Sequence, residues 1–400
     1  MNTYSPLDVE VRTHLIELAE TIGARPTGSP AGRRAEAYVA GVLERRGWTV
    51  ERQPFSCLDW APGPARVRAD GRDWAAVPSP WGPACDVGGP RIAADRVETL
   101  EAADMAGHVV IAHGTLTDEA LFPLHFPFLT VEAHRRIARA LAANPPLALI
   151  AASPDGARPV PWIEDGDLSV PVATVSRADG EALAAGSGPV AVRIEAERRP
   201  GRGANVLARR TPEAAGTADA RMPRVVVTAH LDTKPETPGA LDNAAGVAAL
   251  LALAGVVHEA PPDRVVEIAL LNGEDHYAAP GQVRYLRNAA LTNVRRVVNC
   301  DGVGLRGSPV GVATMGAPAE LERAVTTLRA SHPRIEALAP WPQGDHMPFV
   351  AAGVPALALT STRIFEEIER RVHTPADTVD GVDPASVAAT ARFVAEALRL

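Results

Sequence analysis

Lysine is almost missing from this sequence. Of the 40 basic residues among 400, only Lys234 is not an arginine. With abundant alanine, proline and glycine, that bias looks like the codon usage of a GC-rich genome and carries no function. Cysteine is nearly as scarce. Cys57, Cys85 and Cys300 are odd in number and widely separated, which argues against a disulfide framework and a cysteine-built zinc site. The opening stretch, MNTYSPLDVEVRTHL, has neither a basic segment nor an apolar run, so a cytoplasmic protein with no membrane anchor is expected. A positive balance is also lacking: the formal charge of −8 argues against nucleic acid or an anionic membrane as the main partner. No internal repeat or low-complexity tail is found. What remains, 46% hydrophobic and 22% charged, is ordinary for a globular protein of one large or two moderate domains.

The stretch with the most to say is Arg224–Asn243, RVVVTAHLDTKPETPGALDN. Its β-branched run predicts a buried parallel strand that ends in His230-Leu-Asp232. A loop rich in proline and glycine then leads to Asp242-Asn243, suited to the start of a helix over Ala244–Val257. An imidazole at a strand's C-terminal end and a carboxylate at the next helix start converge on the crevice where open α/β sheets bind ligands.

In chain order, helices are predicted over Leu7–Ile22 and about Ala31–Arg46, with a strand at Trp48–Phe55. From Ser56 to about Arg202 the character changes. Prolines crowd Pro62–Pro90, and short β-like runs follow at His108–Ala112, Leu147–Ala152 and Val170–Val175, with a helix at Val131–Ala143. Pro-Gly joints at both ends point to an inserted module over 58–200, flanked by 1–57 and 201–400. After Asn205 the pattern is regular. Strands at Val225–Ala229, Val265–Leu271, Arg296–Cys300, Val310–Thr314 and Ala356–Thr360 alternate with helices at Ala244–Val257, Pro280–Asn288, Ala319–Ser331 and Pro384–Leu398. The expected fold is α/β, a mostly parallel central sheet with helices on both faces.

Four sets of polar residues follow predicted strands: His230 with Asp242, Glu274-Asp275, Asp301, and His373 in VHTPADT. Singly, each has an ordinary explanation as a strand-end histidine, a helix cap, a solvated loop or a turn residue. Together, in order on one sheet edge, they point to a site. Two zinc ions about 3.5–4 Å apart need histidine nitrogens and carboxylate oxygens, one carboxylate shared, with a position left open. A further carboxylate, not a ligand, is then needed to take a proton from water. Apart from His346, the other histidines, His14, His108, His113, His125, His134, His258, His276 and His332, are read as structural or surface residues.

The ordered set HLD, LDN, GED, NCDGVG and VHTPADT resembles peptidase family 28, the co-catalytic zinc aminopeptidases and glutamate-carboxypeptidase-II-like enzymes. RPTGSPAGRRAEAYVAGVLERRGW is similar to that family's opening helix. SVPVATVSRADGEALAA, Ser169–Ala185, is similar to the closing strand and helix of a protease-associated (PA) domain. The resemblance implies a zinc-exopeptidase (phosphorylase/hydrolase-like) sheet with a β-rich PA-like insert. It implies two Zn2+ per chain: Asp242 bridging, His230 and Asp301 completing one site, Asp275 and His373 the other. Glu274 is then the general base and Asp232 the partner that orients His230. GDHMPF matches the family's Ser-Asp-His segment, with Gly344 where serine is usual, and makes Asp345 and His346 pocket candidates.

Two departures stand out. Asp275 occupies a place where glutamate is usual, one methylene shorter. Val372 stands where several relatives have a tyrosine that stabilises the tetrahedral intermediate, leaving His346 or Tyr277 as substitute donors. The expected function is a two-zinc metallo-exopeptidase that removes N-terminal residues from peptides. The alternatives are the same site acting on another amide (an acidic C-terminal residue, an N-acyl group, or glutaminyl cyclisation) and a non-catalytic PA-containing binding protein. The expected partner is a peptide or small amide, and the sequence gives no oligomeric state.

Overall fold

The computed structural model describes residues 5–400 apart from 157, 213–221, 262 and 369. The chain divides into two compact units, Met1–Cys57 with Arg202–Leu400, and Leu58–Gly201.

In the larger unit the buried β-branched runs form a mostly parallel sheet. Its order is Ile335–Ala337, Val310–Met315, Ala356–Ser361, Val294–Cys300, Arg224–His230, Val265–Leu271 and then the end of the strand Val190–Arg210. Ala356–Ser361, Val294–Cys300, Arg224–His230 and Val265–Leu271 run parallel, with Leu271 level with His230 and Cys300 level with Leu359. Val310–Met315 and Val206–Arg210 pair antiparallel at the two sides. Alternate residues supply two cores. Val225, Val227 and Ala229 pack with the helices on one face, and Val226, Ala269 and Val297 pack with Tyr285 and Phe349 on the other. The helix Ala245–Val256 is apolar all round because it lies under Pro384–Ala397, Pro6–Ile16 and Pro30–Arg45. Strands that end together on one edge therefore present the residues that follow them to one crevice.

The first helix is shorter than its apolar stripe suggested. Pro6–Ile16 is α-helical, starts on a Ser5/Asp8 capping box, and continues as a wider π-helical turn over Glu17–Ile22.

The smaller unit carries more strand than its sequence signalled. The end of Thr49–Ala69 pairs antiparallel with Arg72–Pro78, which pairs antiparallel with Val172–Val175. Val172–Val175, Ala148–Ala152, Val109–Ala112 and Arg91–Ala94 follow in parallel, while Cys85–Gly89 pairs with Val190–Ile194. The helices Val97–Ala102, Glu132–Ala143 and Arg177–Ala185 complete it. The proline-crowded segment hid its strands because Arg, Asp and Gly fill the outward positions around Val67, Ala69 and Trp74, which face the core. Among the described residues no helix is long and apolar enough to cross a membrane.

Candidate metal centre

His230 is the last residue of the strand Arg224–His230 and lies buried. The loop after it is held by Arg25, whose wholly buried guanidinium donates to the carbonyls of Leu231 (2.8 Å), Pro238 (2.7 Å), Gly239 (3.0 Å), Leu18 (3.3 Å) and Gly23 (3.5 Å). At the far end of that loop the expected cap is divided. Asn243 alone caps the helix, its Oδ1 accepting Gly246 N–H at 2.9 Å while its Nδ2 donates to Cys300 O at 3.0 Å. Asp242 turns its carboxylate away from the helix and towards two histidines. Its place is set by Asp377, which accepts the backbone N–H groups of Leu241 (2.8 Å) and Asp242 (3.0 Å).

The two oxygens of Asp242 serve different imidazoles. Oδ1 lies 2.9 Å from His230 Nε2, and Oδ2 lies 2.9 Å from His373 Nε2. Asp301 Oδ1 approaches His230 Nε2 at 3.4 Å, and Asp275 Oδ1 approaches His373 Nε2 at 3.3 Å. Two clusters result, His230–Asp242–Asp301 and Asp242–Asp275–His373. In each, the donor atoms lie within 4.8 Å of one another, and Asp242 is common to both. His373 takes a left-handed backbone, φ 59°, which swings its ring to the shared carboxylate.

Asp232 ties the rest together. Its carboxylate accepts the backbone N–H groups of Gly273 (2.7 Å), Glu274 (3.2 Å) and Asp275 (3.2 Å), and the Thr27 hydroxyl at 2.9 Å. It stands 3.6 Å from His230 Nδ1, an ion-pair contact rather than a hydrogen bond. One carboxylate thus positions the first histidine and the whole Gly273–Asp275 turn.

These residues fit divalent cations. Protonated imidazoles stand here where positive charge is wanted. Burial alone would lower His373, but Asp275 and Asp242 carry it up to about 9. Burial likewise opposes the proton on His230, yet Asp301, Asp232 and Asp242 raise it well above the usual histidine value. Asp275 is pushed up to about 7 by burial and by the Asp242 charge, and its Oδ2 is buried with no hydrogen-bond partner. Asp242 is held well below the carboxylate range: burial opposes this, and the two histidines outweigh it. Imidazole nitrogens and crowded carboxylate oxygens are the donors zinc takes. Glu274, raised well above its ordinary value by burial, is in neither cluster.

Residues 205–398 match peptidase family M28. Aminopeptidase YwaD of Bacillus subtilis (strain 168) is 24% identical over 390 residues, which are 92% of this chain and 78% of YwaD. Among solved structures, the aminopeptidase from Aneurinibacillus sp. strain AM-1 superposes with a TM-score of 0.77 at 19% identity, covering 98% of this chain and 92% of that one. BSAP, a zinc aminopeptidase from Bacillus subtilis, gives 0.75 at 20% identity, covering 99% and 95%. The shared fold is the α/β sheet with its helices.

The other candidates lie apart from the two clusters. Asp345 Oδ1 accepts from Gln282 Nε2 at 2.8 Å, and burial pushes its carboxyl up to about 7. His346 is buried, with Nδ1 3.4 Å from Asn299 Nδ2 and its ring edge-on to Trp341. Val372 is 3% exposed and packs in the main core, so its side chain offers the crevice nothing. Sequence reasoning passed over Arg25, Thr27, Gln282 and Asp377. Three of these, Arg25, Thr27 and Asp377, stood inside quoted motifs, RPTGSPAG and VHTPADT, but their partners lie more than 130 residues away.

Proposed function

We propose that this chain is a two-zinc aminopeptidase, and the observation that carries the reading is the Asp242 carboxylate shared between His230 and His373. His230, Asp242 and Asp301 would hold one ion, and Asp242, Asp275 and His373 the other. Zinc bound there supplies Lewis acidity, lowering the pKa of water and polarising the scissile carbonyl.

The chain's own residues do the rest. Glu274 takes the proton from the attacking water and returns it to the leaving amine. A carboxyl that burial raises well above its ordinary value is suited to hold that proton and pass it on. Because Asp232 fixes the amides of both Glu274 and Asp275, base and ligand keep a constant spacing during the transfer. Asp345 and His346 are assigned to the wall of the substrate pocket, and the unit Leu58–Gly201 to a PA-like module that supplies none of these donors. A peptide with a free N-terminus is the proposed substrate, in line with the name aminopeptidase that the relative YwaD carries.

The test is zinc content beside turnover. Protein purified without chelator should carry about two zinc equivalents and release p-nitroaniline from leucine p-nitroanilide, with activity lost on chelation and regained with zinc. Protein that takes up no zinc on reconstitution overturns the assignment.

A further inference from the structure

Asn272 leads from the strand Val265–Leu271 into the Gly273–Asp275 turn and is wholly buried. Its Nδ2 donates to Glu36 Oε1 at 2.7 Å and to Ala204 O at 3.4 Å. A carboxylate and a carbonyl only accept, so the nitrogen must face them and Oδ1 must face Thr27, whose hydroxyl lies 3.1 Å away. The main-chain N–H of Asn272 donates to Asn205 Oδ1 at 3.0 Å. Gly281 packs so close that a Cβ there would stand 2.1 Å from Asn272 O.

Glu36 is the charged member of this set. It sits in the second turn of the helix Pro30–Arg45, 6% exposed, among the apolar inward residues Ala35, Val39, Ala40 and Leu43. Burial raises its carboxyl, opposed by the Ala204 N–H, Arg52, Arg33 and Asn272. A buried carboxylate is costly unless hydrogen bonds replace its water. Here Oε1 alone accepts two, from Ala204 N–H at 2.9 Å and from Asn272. Packing at this place has no need of a charge; Asn272 has a use for it.

Two routes run from Glu36 to Glu274. One is covalent, since fixing the Asn272 side chain fixes the backbone two residues before the base. The other passes through Thr27, whose one hydroxyl proton stands between Asn272 Oδ1 and Asp232 Oδ2, the latter at 2.9 Å. Asp232 in turn accepts the N–H groups of Gly273, Glu274 and Asp275. Thr27 precedes the Ser29 cap of the helix that carries Glu36, so one helix without a metal donor braces the turn at two points.

We propose that Glu36 is a positioning residue for the base. Through Asn272 it holds the entry to the Gly273–Asp275 turn, and its loss slows proton transfer without removing zinc or weakening substrate binding. This rests on the reading of Glu274 as the base.

The zinc-loaded full chain is assayed on leucine p-nitroanilide. Glu36→Met keeps the length without an acceptor and should lower kcat by about 10–100-fold, the usual cost of losing a partner behind a site residue, with KM and zinc content unchanged. Glu36→Asp keeps the charge but falls one methylene short of Asn272, and kcat should fall with it. Glu36→Gln keeps an oxygen for both N–H groups and should recover most of the rate. Wild-type kcat in Glu36→Met, or a loss of rate that follows a loss of zinc, overturns the proposal. Should Glu36→Met not fold, the other two decide: Glu36→Asp no slower than Glu36→Gln overturns it. Full activity in Glu274→Gln removes instead the base reading beneath it.

Amide hydrogen exchange gives a readout free of metal and turnover. In metal-free Glu36→Asp protein the N–H groups of Gly273, Glu274 and Asp275 should exchange faster than in the parent chain. Those of Val294–Cys300, a strand paired on both sides, should keep their rates. A uniform change in both sets, or none in either, means that the carboxylate serves the fold alone and overturns the proposal.

Discussion

Asp377 accepts the backbone N–H of Asp242 at 3.0 Å and that of its neighbour Leu241 at 2.8 Å, so a residue beyond the last strand sets the carboxylate between the two histidines. An asparagine there has one acceptor oxygen, and its amide nitrogen would oppose the second N–H. Asp377→Asn should therefore weaken zinc by about 10–100-fold, the usual cost of losing a partner behind a metal ligand. Both ions should be affected because Asp242 belongs to both clusters. Chelator competition reads this directly, and loss of a single ion would contradict a shared carboxylate.

The donor residues were legible in the sequence because each follows a strongly apolar strand, and a parallel sheet brings strand ends together. His230, Glu274-Asp275 and Asp301 need little more than strand order to meet. The residues that hold them were not legible. Arg25 and Thr27 act across more than 200 residues, on main-chain carbonyls and on a carboxylate that no periodicity marks. The Asp242-Asn243 pair shows the same limit. Both residue types suit a helix start, and only the packing of Cys300 O and Gly246 N–H around Asn243 decides which one caps. Strands in the smaller unit escaped because prolines and charges outnumber their inward-facing residues.

Arg25 offers the stability test. Its guanidinium satisfies carbonyls of Leu18, Gly23, Leu231, Pro238 and Gly239 in a dry setting. Arg25→Met leaves several of these buried and unmet, and the expected loss is about 3–5 kcal/mol. Arg25→Lys keeps the charge but not the planar fork, and should recover only part. Urea midpoints of the metal-free variants measure it. A loss below about 1 kcal/mol would mean that the loop closes without the guanidinium.

Zinc binding should expel protons. In the metal-free protein His373 is carried up to about 9 and His230 well above its usual value, so both rings are protonated at neutral pH, and Asp275, near 7, is about half so. Zinc takes the deprotonated donors, so loading at pH 7 should release about two to three protons, and affinity should fall as pH falls. Calorimetry in two buffers of different ionisation enthalpy counts them. No proton release at pH 7 would show that the histidines are already neutral.

His14 sets a different pH dependence, away from the metals. Burial, aided by Arg46 and Arg45, lowers it to about 4, and its Nδ1 meets the Tyr38 hydroxyl at 2.7 Å. Unfolded, the ring binds a proton near pH 6.5. Between about 6.5 and 4 the unfolded chain therefore holds a proton that the folded one lacks, and stability drops as pH falls through that window by roughly 2–4 kcal/mol. His14→Gln should remove this component, and urea midpoints at pH 7 and 4.5 for both proteins give the difference. Parallel pH profiles would mean that His14 is not buried neutral.

The adjacent acids Glu274 and Asp275 should fail in opposite ways. Glu274 is in neither donor cluster and burial raises its carboxyl, whereas Asp275 Oδ1 lies 3.3 Å from His373 Nε2. Glu274→Gln should keep both zinc ions and lose proton transfer, at a cost of about 10²–10⁴ in rate or more where no other base stands in. Asp275→Asn exchanges an anionic donor for a neutral amide. It should weaken one ion while leaving the base in place, so activity should return in part at high zinc. Zinc stoichiometry and turnover, at low and saturating metal, separate the two phenotypes. Should Glu274→Gln shed zinc while Asp275→Asn stays fully loaded, the roles are exchanged and the base must be sought at Asp275.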